Sequence, residues 1–195
     1  MATYDMEIAA DEDKALFKLA EARIHELVQQ ITFQPVVLSE EELAEEPKTE
    51  VPNAFPAFTT EMLTGGTADN SVFAGKDLTV INIWGTACYP CISEMPELKV
   101  WSKELPENVQ LIGLVCDAAA GSEEDVEMAQ LICESTGVTY PNWLYCEDFK
   151  EMLSGMPFTP TTIFADRSGA IVVEPICGAC VDQYKEFVIN YLSAM

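Results

Sequence analysis

Two short apolar runs constrain this chain more than any other feature. They are LTVINIW at Leu78–Trp84 and VQLIGLV at Val109–Val115. Neither alternates cleanly between apolar and polar residues. Each is too short for a membrane span and too rich in β-branched residues for a preferred helix. Runs of this kind fit strands buried on both faces, as in a parallel or mixed sheet covered on each side. The segment between them reads as a helix over 89–104, with Pro96 inside it. A second helix is predicted over 122–135, with Ser122 as cap and Gly137 as stop. Strands are predicted at Tyr140–Tyr145, Thr161–Ala165 and Ala170–Glu174, the last two joined by the hairpin-like DRSG at 166–169. A closing helix is predicted over Val181–Leu192. This alternation implies an α/β fold, with a central sheet and helices on both faces.

Ahead of this pattern, Leu16, Ala20, Ile24, Leu27 and Ile31 recur at helical spacing, which predicts an amphipathic accessory helix over 11–31. An acidic stretch, SEEELAEEPKTE at 39–50, reads as a linker. The expected organisation is an N-terminal helix and acidic linker over 1–52, followed by one domain over 53–195. No run of about 18 apolar residues occurs. Residues 1–30 show no basic segment leading into an apolar one, so no signal peptide is expected in this chain as written.

Composition excludes several chemistries. The 195 residues hold 33 acids against 10 bases, a net charge of -23. Such a surface repels phosphate backbones and anionic membranes, so nucleic acid is not an expected partner. The acidity serves solubility, or else steering toward a basic partner. His25 is the only histidine, and Arg23 and Arg167 are the only arginines. Serine–histidine triads, cysteine–histidine pairs and multi-histidine metal sites therefore lack their parts.

The chemistry concentrates at Trp84-Gly-Thr-Ala-Cys88-Tyr-Pro-Cys91, between a buried strand and a helix. Cysteines at this spacing can close a small ring across a first helical turn. Unpaired backbone N–H groups and the helix dipole favour a thiolate there, and such positions lower a thiol pKa to ~3.5–7.5. Cys88 is the expected nucleophile and Cys91 the resolving thiol. Pro90 suits a first-turn position because its missing N–H costs nothing there. The competing readings of the motif alone are a structural disulfide or half of a metal knuckle.

The segment 53–193 resembles the TlpA/ResA branch of thioredoxin-like proteins. The resemblance rests on Phe73-Ala-Gly-Lys76, VINIWGTACYPC at 80–91 and Glu94-Met-Pro-Glu-Leu98. It continues through Gly137-Val-Thr-Tyr-Pro141 and Thr159-Pro160-Thr-Thr-Ile-Phe-Ala-Asp166 with Gly169. It implies a thioredoxin-like fold and thiol–disulfide exchange on a protein substrate, recharged by an upstream reductant, with no cofactor. Pro160 matches a cis-proline facing the cysteines and pairing with substrate beside Thr159. Trp84, Tyr89 and Pro90 are the further substrate-contact candidates. Glu94 matches an active-site carboxylate that exchanges protons with Cys91. Its alternative is a first-turn acid that only complements the helix dipole. Asn82 stands where ordinary thioredoxins carry a buried acid. Ala87 departs from the aromatic residue frequent in the family. The resemblance implies a place outside the cytoplasm, with the membrane entering only through an N-terminal anchor absent from this chain.

Five further cysteines remain. Cys177-Gly-Ala-Cys180 is a second pair of the same spacing, which the resemblance places beside Pro160. It is expected to be disulfide-bonded. The readings are a structural disulfide, a second redox pair exchanging with Cys88–Cys91, or a four-thiolate metal site made of both pairs. Cys116 and Cys146 each end a strand, and the resemblance implies that these strands are parallel neighbours, so the two read as a disulfide or as two packed thiols. Cys133 reads as a buried thiol. Two rival functions stay open. A peroxiredoxin-like peroxidase would need a threonine farther from its cysteine than Thr86 and an arginine over the thiolate. A non-enzymatic metal carrier would use Cys88, Cys91, Cys177 and Cys180.

Overall fold

A computed structural model describes residues 52–156 and 158–195. The expected accessory helix over 11–31, His25 and the acidic stretch lie outside the described residues.

A small antiparallel hairpin opens the described part, β1 (Thr59–Glu61) and β2 (Thr67–Asp69), followed by the single turn α1 (Ser71–Ala74). The sequence reading assigned no element to this stretch. Then come β3 (Leu78–Trp84), α2 (Tyr89–Glu104), β4 (Val109–Ala119), α3 (Glu123–Thr136), β5 (Asn142–Tyr145), a 3₁₀ turn (Glu147–Phe149) and α4 (Lys150–Ser154). The chain closes with β6 (Thr161–Asp166), β7 (Ile176–Cys177) and α5 (Val181–Ser193). Gly137 ends α3 at φ +71°, a backbone state that costs a glycine little.

The main sheet has the order β5-β4-β3-β6-β7. β3, β4 and β5 run parallel, while β6 and β7 are antiparallel to their neighbours. Two successive right-handed crossovers step in the same direction, from β3 to β4 to β5. They therefore place α2 and α3 on the same face of the sheet. α5 joins them there, so the three long helices share one face. Leu78, Val80 and Trp84 point toward them. Ile81 and Ile83 point to the other face, which short elements close with an aromatic cluster of Phe55, Phe58, Phe73, Trp143 and Phe149. The sheet is thus mixed and flanked by helices, with the long ones gathered on the catalytic side.

The expected strand at Ala170–Glu174 needs correction. Only Ala170 and Ile171 form bridges, and the ladder resumes at Ile176 opposite Thr162. Pro175 has no N–H to donate, so the edge strand is interrupted before it. β4 runs on past the expected Val115 to Ala119, with a register irregularity between those two residues.

Candidate active site

The site sits at the carboxyl end of β3. Strand alternation turns Asn82 and Trp84 toward α2, with Ile83 facing away. Trp84 is fully buried, and its indole N–H donates to Asn142 Oδ1 at 2.9 Å. Gly113 makes this fit, since a Cβ there would collide with the Asn142 amide. The expected role of Trp84 in substrate contact is therefore corrected. With none of its surface exposed, it anchors the strand end beneath the site.

From Trp84 the chain turns through Gly85–Ala87, and the Cys88 N–H donates to the Gly85 carbonyl at 3.1 Å. Asp117 holds this turn from outside. Its Oδ2 accepts the Thr86 N–H at 2.7 Å and the Thr86 hydroxyl at 2.8 Å. The regular parallel register of β3 and β4 pairs Trp84 with Val115, which sets Asp117, two residues on, level with Thr86. Val115 pairs with Leu144 and Ala119 with Tyr145, leaving three residues out of register.

Cys88 is the N-cap of α2, and its Sγ accepts the Cys91 N–H at 3.3 Å. The two cysteines are joined in a disulfide with Cα atoms 5.3 Å apart. Cys88 is half-buried, whereas Cys91 has no exposed surface. An attacking group can therefore reach only one of the two sulfurs. On reduction, a Cys88 thiolate would keep the backbone donor and the positive end of a long helix.

Glu94 lies one turn further along α2, only 5% exposed. Its Oε1 accepts Asn82 Nδ2 at 2.9 Å, and its Oε2 lies 3.4 Å from the Tyr184 hydroxyl. Burial pushes its pKa up to about 7, against the opposing hydrogen bond from Asn82 and with a small push from the Glu97 charge. Asn82 donates to both Glu94 and Thr162, while its Oδ1 is buried without a partner. A carboxyl poised near neutrality one helical turn from a buried thiol can take or return a proton.

The Thr159–Pro160 peptide is cis. Pro160 is buried, and Thr159 is exposed beside it. Two large side chains stand out in solvent, Tyr89 at 80% and Phe158 at 62% exposed. Pro90 is exposed in the first turn of α2.

The second cysteine pair lies next to the cis-proline. Cys177 pairs with Thr161 across β6 and β7, and the Gly178 N–H donates to the Pro160 carbonyl at 2.7 Å. Cys180 is the N-cap of α5. Both are free thiols, Cys177 exposed and Cys180 half-buried, which corrects the expected disulfide. Cys116 and Cys146 are also free and pack against the aromatic cluster. Burial pushes the Cys116 thiol up to about 11 and raises that of Cys146. Cys133 is buried, and burial alone moves it to about 11.

The rival readings lose their support. Arg167 binds Asp77 at the start of β3, the opposite end of that strand from Cys88. Thr86 is committed to Asp117. Among the described residues, no three histidine, cysteine, aspartate or glutamate side chains gather as metal ligands would.

Sequence reasoning missed Asp117 and Tyr184. Asp117 ends an apolar run on a strand parallel to β3, and loops beyond the carboxyl ends of such strands are where sites form. Tyr184 gave no signal of its own, because its value depends on α5 packing against α2.

Residues 50–174 match the Redoxin family. The chain is 28% identical over 152 residues to the thiol-disulfide oxidoreductase ResA of Bacillus thuringiensis, covering 76% of this chain and 80% of that one. It is 26% identical over 116 residues to the thioredoxin-like protein YneN of Bacillus subtilis, covering 60% of this chain and 65% of YneN. The crystal structure of StoA from Bacillus subtilis superposes with a TM-score of 0.56 at 18% identity, over 70% of this chain and 99% of StoA, which bears on the fold alone. With its closed cysteine pair at a helix N-terminus, the chain belongs to the Redoxin family, as a thioredoxin-fold thiol–disulfide oxidoreductase of the TlpA/ResA-like kind.

Proposed function

We propose that this oxidoreductase reduces disulfides of protein substrates, with Cys88 as nucleophile and Cys91 as resolving thiol. The observation that carries the assignment is the unequal burial of the two sulfurs at the start of α2. The Cys88 thiolate attacks one sulfur of the substrate disulfide. That bond breaks, the other substrate sulfur leaves as a thiolate, and a mixed disulfide forms. Cys91 then gives its proton to the Glu94 carboxylate and attacks Cys88 Sγ. The mixed disulfide breaks, the substrate leaves as a dithiol after protonation, and the Cys88–Cys91 disulfide closes. An external dithiol returns two electrons and two protons for the next cycle.

The substrate chain docks along Thr159 and Pro160, with Tyr89 and Pro90 as its wall on the helix side. Exposed aromatic area beside a reactive sulfur suits an apolar peptide segment. The catalytic domain is residues 53–195. The location proposed from the family resemblance is outside the cytoplasm. Among the described residues, no helix is long and apolar enough to cross a membrane.

The test is trapping. Reduced Cys91→Ser protein mixed with insulin should accumulate a mixed disulfide at Cys88, and the parent should turn over. Failure of the parent to reduce insulin would overturn the reading. A membrane-impermeant maleimide applied to intact cells checks the location, since only an extracytoplasmic Cys88 would be labelled.

A further inference from the structure

The second pair is not used by the cycle above, yet it sits within the site's own hydrogen-bond network. Strand register gives its place. Ile83, at the end of β3, pairs with Thr161, and Thr161 pairs with Cys177. Cys177 therefore lies two strand spacings, roughly 10 Å, from the strand end that launches the Cys88 turn. The Thr161 hydroxyl, one residue from Pro160, lies 3.7 Å from Cys177 Sγ. The loop between the cysteines is fastened to the cis-proline by the Gly178 N–H.

Tyr184 makes the second link. Its hydroxyl donates to the Gly178 carbonyl at 2.5 Å, accepts the Cys180 N–H at 3.2 Å and lies 3.4 Å from Glu94 Oε2. One hydroxyl thus touches the loop of the second pair and the carboxylate that serves the first. A structural disulfide would need neither the contact to Glu94 nor an exposed sulfur. Cys177 is exposed, and Gly178 holds a turn at φ +92° that brings the chain back toward it.

Resting on the Cys88/Cys91 reading, we propose that Cys177 and Cys180 form a second redox-active dithiol that passes electrons to the Cys88–Cys91 disulfide within one molecule. One thiolate of the second pair attacks Cys88 Sγ. The Cys88–Cys91 bond breaks, and Cys91 leaves as a thiolate and takes up a proton. The partner cysteine then attacks the bridging sulfur of its own pair and frees Cys88. The first pair ends as a dithiol and the second as a disulfide. Two electrons have moved, and an external dithiol restores the second pair at the exposed Cys177.

Two measurements test this on the full chain. In the first, parent protein is equilibrated in graded dithiothreitol buffers, acid-quenched, alkylated by mass-shift reagent and mapped by peptide. A disulfide between Cys177 and Cys180 that exchanges with the first pair at a rate independent of protein concentration is the expected result. In the second, the Cys91→Ser/Cys177→Ser and Cys91→Ser/Cys180→Ser variants are oxidised in glutathione buffer. At least one should accumulate a Cys88–Cys180 or Cys88–Cys177 bridge as its major product. If the second pair stays a dithiol wherever the first is oxidised, or if its exchange scales with protein concentration, the proposal falls. The parent assay covers the case in which the buried Cys91→Ser change prevents folding. Insulin reduction by the parent is scored separately, so loss of the underlying activity is distinguishable from loss of the relay.

Discussion

The chain carries two cysteine pairs of identical spacing, each where a strand meets a helix, and they differ in phase. Cys88 is the N-cap of α2 and Cys91 lies inside its first turn. Cys177 ends β7 and Cys180 is only the N-cap of α5, so that pair lies wholly ahead of its helix. Three residues of offset change the chemistry. In the first pair a helical turn brings the sulfurs together and supplies a backbone donor to Cys88 Sγ. In the second, a glycine turn does the closing and Cys180 Sγ receives no N–H, reaching only the Cys177 carbonyl at 3.9 Å. The first pair has a buried carboxylate beneath it, whereas the second touches that carboxylate only through Tyr184. Spacing makes a pair, and helical phase makes a nucleophile.

The harshest test of that comparison is Cys88→Ser. Turnover with insulin should fall by about 10³-fold or more, because the attacking thiolate is lost and the exposed Cys177 lacks the capped position to replace it. Retained turnover would erase the distinction between the pairs. In reduced Cys91→Ser protein, alkylation of Cys88 should show a midpoint below that of a free thiol, ~8.5.

Glu94→Gln sharpens the comparison through pH. The folded pKa of Glu94 is raised from 4.5 to about 7. Its favourable contribution is therefore present below the unfolded value and lost as pH rises toward 7. The glutamine variant should match the parent near pH 4 and exceed it in stability near pH 8, by about 3 kcal/mol. The parent's resolving step should rise with pH through an inflection near 7 that the variant lacks. Urea melts and stopped-flow exchange at both pH values check this. Equal pH profiles would leave Glu94 as a helix acid only.

The remaining two tests concern the scaffold that the first pair has and the second lacks. Gly113→Ala drives a Cβ into the Asn142 amide that holds Trp84, and should cost about 2 kcal/mol with a fall in Tm of roughly 5 °C. A calorimetric scan that matches the parent would show that the strand end can repack freely. Asp117→Ala removes the acceptor of two Thr86 donors at an exposed site. It should cost about 1 kcal/mol and slow exchange a few-fold by loosening the turn before Cys88. Unchanged rates would mean that the helix alone positions the sulfur.

Local sequence determined a good part of this protein. The largely apolar runs of β3 and β4 specified buried strands, because few other short elements tolerate burial on both faces. The cysteines, with Pro90 between them, specified a helix start bearing a reactive sulfur, because capping and first-turn chemistry act over a few residues. The motifs in order carried the family, and with it the cis peptide before Pro160.

Tertiary structure decided what depends on residues meeting from afar. Trp84 read as a surface contact, since aromatic residues beside a motif often are, but its partner Asn142 lies 58 residues away and draws the ring inside. Asp117 meets Thr86 only because β3 and β4 pair in parallel, a contact across 31 residues that no local pattern encodes. The gathering of the three long helices on one face follows from crossover handedness applied to a strand order. The phase of the second pair follows from where β7 ends and α5 begins, at Cys177 and Val181. Short-range chemistry wrote the reactive motif, and long-range packing decided which sulfur is reachable, which carboxylate titrates and what the second pair touches.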